Sequence, residues 1–334
     1  MPGQSGRSTA PRQHRERFEA AGTHQMGCGT LLSTAMVSTD RTLPTLSVVI
    51  PAYNAAATIA QTLADVKGAL GARAINYEVI VVNDGSTDAT LAETAKAAGA
   101  SDGRVRVMSL DRNIGKGATV RAGMLQAKGD WVLFMDADHS TRIEHVDLLW
   151  PEAARGSDVV IGSRRMAQSL VASERTAKRQ LLGDLFPRIT QLLCLPGISD
   201  TQCGFKAFKR WSVEPIFGEL ATSRFAFDVE ALLRAKRMGA AIAEVPVRWD
   251  NPNDSTLKWA SDGPNMLGDV IAVSWRLRAG SAAARRLAAL GRKNRESGVE
   301  ITGQQGQLAE QIEIKPARAT EMQAVQAAAA QTNR

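Results

Sequence analysis

The sequence predicts an α/β fold, one doubly wound, mostly parallel sheet with helices on both faces. Short apolar runs at 46–50, 77–82, 105–110 and 131–135 alternate with segments of helical periodicity. That spacing is the one strand–helix–strand units require. Trp131-Val-Leu-Phe-Met135 is apolar at every position, as expected of a strand covered on both faces.

The elements follow in order. Residues 1–43 are rich in Gly, Ser, Thr, Arg and Gln and are expected to form a disordered tail. The first strand, 46–50, ends at Pro51; a helix follows at 58–70 and a second strand at 77–82. A helix at 87–98 has Asp88 in its first turn, and a third strand is expected at 105–110. The helix 116–127 leads to the central strand 131–135. A short strand at 158–161 precedes a long amphipathic helix, 174–194, interrupted by Pro187. Beyond it, a strand near 205–208, a helix at 227–237 and a strand at 243–247 complete one domain, 44–262. Residues 263–293 read as a basic amphipathic helix, and 294–334, rich in Ala, Gln and Glu without aromatics, as a flexible tail.

Composition narrows the class. At 44% hydrophobic and 22% charged residues the chain is ordinary for a globular protein. Its three cysteines, Cys28, Cys194 and Cys203, are widely spaced and form no Cys-x-x-Cys pattern, which argues against a disulfide framework or zinc site. The net charge of +7 is concentrated at the ends. From Arg276 onward there are ten Lys/Arg against five acids, and residues 1–42 hold five Arg against three. The domain between is near neutral. No run approaches the roughly 18–20 apolar residues of a membrane span. Nor do residues 26–37 resemble a signal peptide. A cytoplasmic protein with at most peripheral membrane contact is expected. Nucleic-acid binding is not, because the basic ends lack interleaved aromatics.

The chemistry concentrates where strands end. Asp136-Ala-Asp138 follows the central strand, at the sheet edge where open α/β sheets bind ligands. Alternate residues on an extended end point the same way, so both carboxylates can reach one divalent cation. Hard oxygen ligands suit Mg²⁺ or Mn²⁺, which take further oxygens from substrate phosphates and water. Pro51-Ala-Tyr53-Asn54, Asn83-Asp84-Gly-Ser86 and Asn113-Ile-Gly-Lys116-Gly117 follow the three other strands, on that same edge. The glycines match neither Gly-x-Gly-x-x-Gly nor Gly-x₄-Gly-Lys-Ser/Thr, which disfavours dinucleotide and P-loop binding.

In this order the motifs resemble family 2 glycosyltransferases with the GT-A fold, whose sheet is Rossmann-like. Further on, Ile161-Gly-Ser-Arg164, Asp200-Thr-Gln-Cys-Gly-Phe-Lys206, Phe227-Asp-Val-Glu230, Glu244-Val-Pro-Val and Trp249 resemble dolichyl-phosphate β-glucosyltransferases and their polyprenyl-phosphate relatives. The resemblance spans about 46–280. It implies transfer of glucose from UDP-glucose to a polyprenyl or dolichyl phosphate, with inversion. It further implies that Pro51, Tyr53 and Asn54 line the base and ribose pocket, with Asp84 at the uracil or ribose and Lys116 near the nucleotide. Asp136 would touch the ribose or metal-bound water, and Asp138 would ligate the metal. Asp200, with Asp138, takes the catalytic role, positioning acceptor or sugar. Gln202 and Glu230 are expected at sugar hydroxyls, with Glu230 and Asp228 equally readable as structural.

A prenyl phosphate brings a dianion toward a diphosphate, so cations are required. Arg164, Arg175 and Arg179 supply them; the last two are four apart and share a helix face. The phosphate oxygen is already ionised, so no strong general base is needed. A lipid acceptor implies contact with an anionic bilayer. Two apolar stripes could make it, 181–193 and 267–275, or both could be core. Alternatives on the same scaffold are another donor, GDP-mannose or UDP-N-acetylglucosamine, or a soluble acceptor. A non-catalytic nucleotide-sugar-binding protein is the other.

Overall fold

A computed structural model of the chain describes residues 45–99, 103–172, 188–192, 194–224, 226–250, 259–297 and 314–316. Strands β1 (Leu46–Ala52), β2 (Tyr77–Asn83), β3 (Val105–Leu110) and β4 (Trp131–Met135) alternate with helices α1 (Ile59–Ala72), α2 (Thr90–Ala98) and α3 (Lys116–Gln126). A 3₁₀ turn (Ile143–Leu148) and α4 (Leu149–Ala154) lead to β5 (Val159–Ser163) and the short β6 (Leu170–Ala172). Then come β7 (Phe205–Lys209), α5 (Arg210–Phe217), α6 (Phe227–Arg237), β8 (Ile242–Pro246) and β9 (Arg248–Asp250). The chain closes with α7 (Trp259–Arg276), α8 (Ala282–Ser297) and β10 (Ile314–Pro316).

Among the described residues the main sheet has eight strands in the order β10-β3-β2-β1-β4-β7-β5-β8. The β3-β2-β1-β4 half is parallel, with Leu46 opposite both Tyr77 and Trp131. β7 runs antiparallel between β4 and β5, and β10 antiparallel on β3. The doubly wound, mostly parallel expectation therefore holds, with β7 as the inserted reversal. The reversal matters for function: it starts β7 beside the end of β4, pairing Met135 with Phe205.

Every residue of β2, β4 and β5 is buried, because both faces carry helices. Val49, Ile80, Val132 and Phe134 pack under α3, α6 and α7; Val48, Ile50, Val79 and Leu133 pack under α1 and α4. At roughly 1.5–3 kcal/mol per fully buried large apolar side chain, these two layers supply most of the fold's stabilisation.

Two expectations are corrected. Pro51 lies inside β1, opposite Val82, and does not end the strand. Ala52 O accepts the Asp84 N–H on the β2 side, so Pro51 faces the β4 side, where pairing has already ended at Val49. Its missing N–H costs no ladder bond there. The segment 263–293 is two helices, split at Gly280, where φ is +79°, and restarted by Ser281, whose Oγ accepts the Ala284 N–H at 3.0 Å. Within it Val270, Val273 and Leu277 are core, while Ile271 and Trp275 face outward. The 181–193 stripe lies mostly outside the described residues, as do Arg175 and Arg179.

Candidate active site

The carboxyl edge of the parallel strands carries the site. Asp136 is the first residue past β4, and its N–H donates to Gly204 O at 3.2 Å. This contact ties the acidic turn to the start of β7. A Cβ at Gly204 would overlap the Asp136 carboxylate, so a side chain there would have to displace it. The turn is fixed from the other side by α1, where Thr62 Oγ1 donates to Ala137 O at 3.0 Å. His139 adopts a left-handed backbone, φ +60°, with Nδ1 3.2 Å from Asp65 Oδ2. Asp138 Oδ1 accepts the Ser140 N–H at 2.9 Å, an Asx turn that aims its carboxylate.

Electrostatics single out this turn. Burial, and then the neighbouring Asp136, push the Asp138 carboxyl above its usual range. Asp136 Oδ1 is buried and receives no well-directed hydrogen bond; the Lys116 ammonium lies 2.5 Å from it. Among the described residues no group of three His, Cys, Asp or Glu forms a protein-only metal cage. Two carboxylates on one short turn, Asp136 balanced by the Lys116 ammonium, fit Mg²⁺ or Mn²⁺ completed by phosphate and water oxygens.

The expected donor residues gather beside this turn. Tyr53 is exposed just past β1. Asn54, with φ +49°, accepts the Thr87 N–H at 2.9 Å on Oδ1, and its own N–H donates to Ser86 Oγ. The 53–54 and 86–87 loops are therefore one unit. Asp84 is buried, its two oxygens accepting the N–H groups of Ile114 (2.8 Å) and Gly115 (3.0 Å). It holds the loop that presents Lys116. Gly115, at φ +100°, packs so closely on the 221–224 loop that a Cβ would lie 2.6 Å from Ser223 O.

Across the turn, Arg164 follows β5 and forms a two-pronged pair with Asp200: Nε–Oδ2 2.7 Å and Nη2–Oδ1 2.9 Å. The Arg164 and Gln202 N–H groups also donate to Asp200, which is fully buried. Burial alone would raise the Asp200 pKa; the Arg164 charge and hydrogen bonds outweigh it and hold the carboxyl well below its usual range. Glu244 accepts the Ser199 and Asp200 N–H groups and fixes this segment. Trp249, on the small β6–β9 sheet, lies under Arg164 at 5.4 Å, and Thr141 bridges to the same residue. Asp200 thus orients Arg164, whose side chain remains partly exposed. Gln202 Nε2 is buried and finds no hydrogen-bond partner among the described residues.

Glu230 stands apart from the other expected sugar contacts. Fully buried, it accepts from Ala221 N, Thr222 N, Arg234 Nε and Arg276 Nη2. It braces the 221–222 loop and α7, the structural reading. Asp228 is also buried and pairs with Lys206 at 2.6 Å. Lys206 closes the Asp200–Lys206 motif without a role read from the sequence, where a lysine inside Phe-Lys-Ala-Phe is the available signal. Its Nζ lies 5.3 Å from the Phe134 ring and donates to Cys203 O. Cys203 is buried and its thiol pushed up to about 11, first by burial and then by Asp200, so it is no nucleophile.

Comparison with known proteins agrees with this geometry. The family model described as "Glycosyl transferase family 2" matches residues 47–217. A dolichyl-phosphate beta-glucosyltransferase of Dictyostelium discoideum is 34% identical over 245 residues, covering 69% of this chain and 74% of the relative. The human protein of that name is 35% identical over 242 residues, covering 66% and 74%. In structure the chain is similar to Mycobacterium tuberculosis glucosyl-3-phosphoglycerate synthase, solved with Mn²⁺, UDP and glucosyl-3-phosphoglycerate. The TM-score is 0.51 at 22% identity, covering 71% of this chain and 81% of that one. The fold is that of GT-A glycosyltransferases, and the chain belongs to glycosyl transferase family 2.

Proposed function

We propose that this glycosyltransferase moves glucose from UDP-glucose to a polyprenyl or dolichyl phosphate, using Mg²⁺ or Mn²⁺. The observation that carries the reading is Arg164, fixed by Asp200 and Trp249 across the turn from Asp136 and Asp138. A cation locked in place beside a carboxylate pair is what a reaction between two anionic groups requires. Both the lipid acceptor and the β product are supported by the named relatives at 34–35% identity.

Each side chain then has a task. Tyr53 and Asn54 hold the nucleoside, and Lys116 neutralises the diphosphate. Asp136 and Asp138 would hold the metal, which supplies charge stabilisation to the departing nucleotide when bound. Arg164 orients the acceptor phosphate; its fork matches phosphate oxygens better than an ammonium does. An acceptor oxygen forms the new bond to the anomeric carbon as the bond to UDP breaks on the opposite face. The acceptor is ionised beforehand, so no side chain need remove a proton. Gln202 Nε2 is offered to a sugar hydroxyl.

The test is transfer of labelled glucose into organic-extractable lipid, with purified protein, polyprenyl phosphate and Mg²⁺. GDP-mannose and UDP-N-acetylglucosamine run in parallel, with Asp138→Ala as control. Lipid-linked glucose that disappears in the variant supports the proposal. Another sugar in the lipid would correct the donor. UDP release without lipid product would move the acceptor to water.

A further inference from the structure

Lys116 occupies an unusual place. Its ammonium lies among the carboxylates of Asp136, Asp228 and Asp138. Its Nζ lies 2.5 Å from Asp136 Oδ1, a direct ion pair. A divalent cation shared by Asp136 and Asp138 would need this same oxygen. Asp228 has its own partner in Lys206, at 2.6 Å, so Lys116 can leave without orphaning it. Lys116 is also the first residue of α3. The 221–224 loop covers that helix end, where Ala118 N–H donates to Ser223 O at 3.2 Å, so an incoming diphosphate would meet the ammonium.

We propose that Lys116 is a tethered stand-in for the metal. Its ammonium neutralises Asp136; a nucleoside diphosphate offers it a new partner, and a divalent cation then takes its place at Asp136 Oδ1. The inference rests on the donor reading above. Metal alone competes with a cation that cannot diffuse away, and so binds weakly. Metal with nucleotide binds without that competitor. The coupling between the two ligands is therefore carried by one side chain, and by linkage it acts equally in both directions.

The experiment measures Mn²⁺ binding to the full chain by electron paramagnetic resonance of free Mn²⁺, with and without UDP. Wild type is compared with Lys116→Met and Lys116→Arg, and circular dichroism checks that each is folded. Removing a unit charge this close to a metal site is worth about tenfold or more in affinity. Lys116→Met should therefore bind Mn²⁺ alone about tenfold tighter than wild type, with a smaller further gain from UDP. Lys116→Arg, which keeps the charge, should retain the wild-type coupling. A folded Lys116→Met that binds Mn²⁺ alone no tighter than wild type overturns the exchange while leaving the donor reading intact. Failure of wild type to bind Mn²⁺ even with UDP overturns both.

Discussion

Gly204 and Asp200 act through neighbours, and each can be tested alone. A methyl at Gly204 has no room beside Asp136, which sits on a turn held by Gly204 O and by Thr62. Gly204→Ala should cut transfer by about 100-fold through a displaced Asp136, the proposed metal ligand, since small displacements cost that much. Melting should fall only modestly, because the strain is local; activity near wild type would show that the turn yields freely. Asp200 has a folded pKa depressed below its unfolded value of 3.8, chiefly by Arg164 acting against burial. Its contribution is fully present above the unfolded value and is lost as pH falls through the lower folded value. Asp200→Asn leaves Arg164 unpaired and should cost about 3–5 kcal/mol near neutral pH. In urea unfolding the gap between wild type and variant should close as the buffer is taken well below pH 4, about the unfolded carboxyl value. A gap constant with pH would mean the ion pair is not what Asp200 contributes. None of this pairing was visible in the sequence, where Arg164 and Asp200 lie in separate motifs. The antiparallel β7 and Glu244 of β8 bring their segments together.

Among the elements, the loop at 113–117 depends on another loop for its shape. Asp84 satisfies two of its N–H groups from a buried position. Hydrogen bonds to a charged acceptor contribute about 1.5–3 kcal/mol each, so losing both in Asp84→Ala should destabilise by roughly 3–6 kcal/mol. It should also raise the Kd for UDP, because Lys116 hangs from that loop. Asp84→Asn can still accept one of the two bonds and should fall between wild type and Ala in both stability and UDP affinity. The parallel strands were legible because their apolar runs obey a simple rule: both faces are covered. The short β6 and β9 were not, since three-residue strands carry too few side chains to show a period. Their product, Trp249 under Arg164, was therefore visible only as a motif residue. Glu230 shows the converse limit. Its Phe-Asp-Val-Glu setting marks an important carboxylate, but only the fold reveals that it serves the 221–222 loop and α7.

Charge across the whole molecule bears on how the proposed lipid acceptor is reached. Between Asp269 and Glu296 the chain has seven Lys/Arg and no acid. On that same stretch Ile271 is 53% and Trp275 70% exposed, and Arg278 stacks over the Trp275 ring at 4.1 Å. Among the described residues no helix is long and apolar enough to cross a membrane. Arg276 and Arg286 are partly spoken for by Glu230 and Glu219, which reduces the effective charge of this face. The remaining cations each gain about 1 kcal/mol near an anionic leaflet, and an exposed tryptophan suits the headgroup region. The full chain should therefore float with anionic vesicles at low salt and not with neutral ones. About 0.5 M salt should release it, because the attraction is screened. Trp275→Ala should weaken flotation without changing the melting temperature, since the ring covers little of the core. Full recovery in the soluble fraction with anionic vesicles would remove this face from any role at the bilayer. A lipid acceptor would then have to reach Arg164 by another surface, and a water-soluble phosphate acceptor would gain weight in the transfer assay.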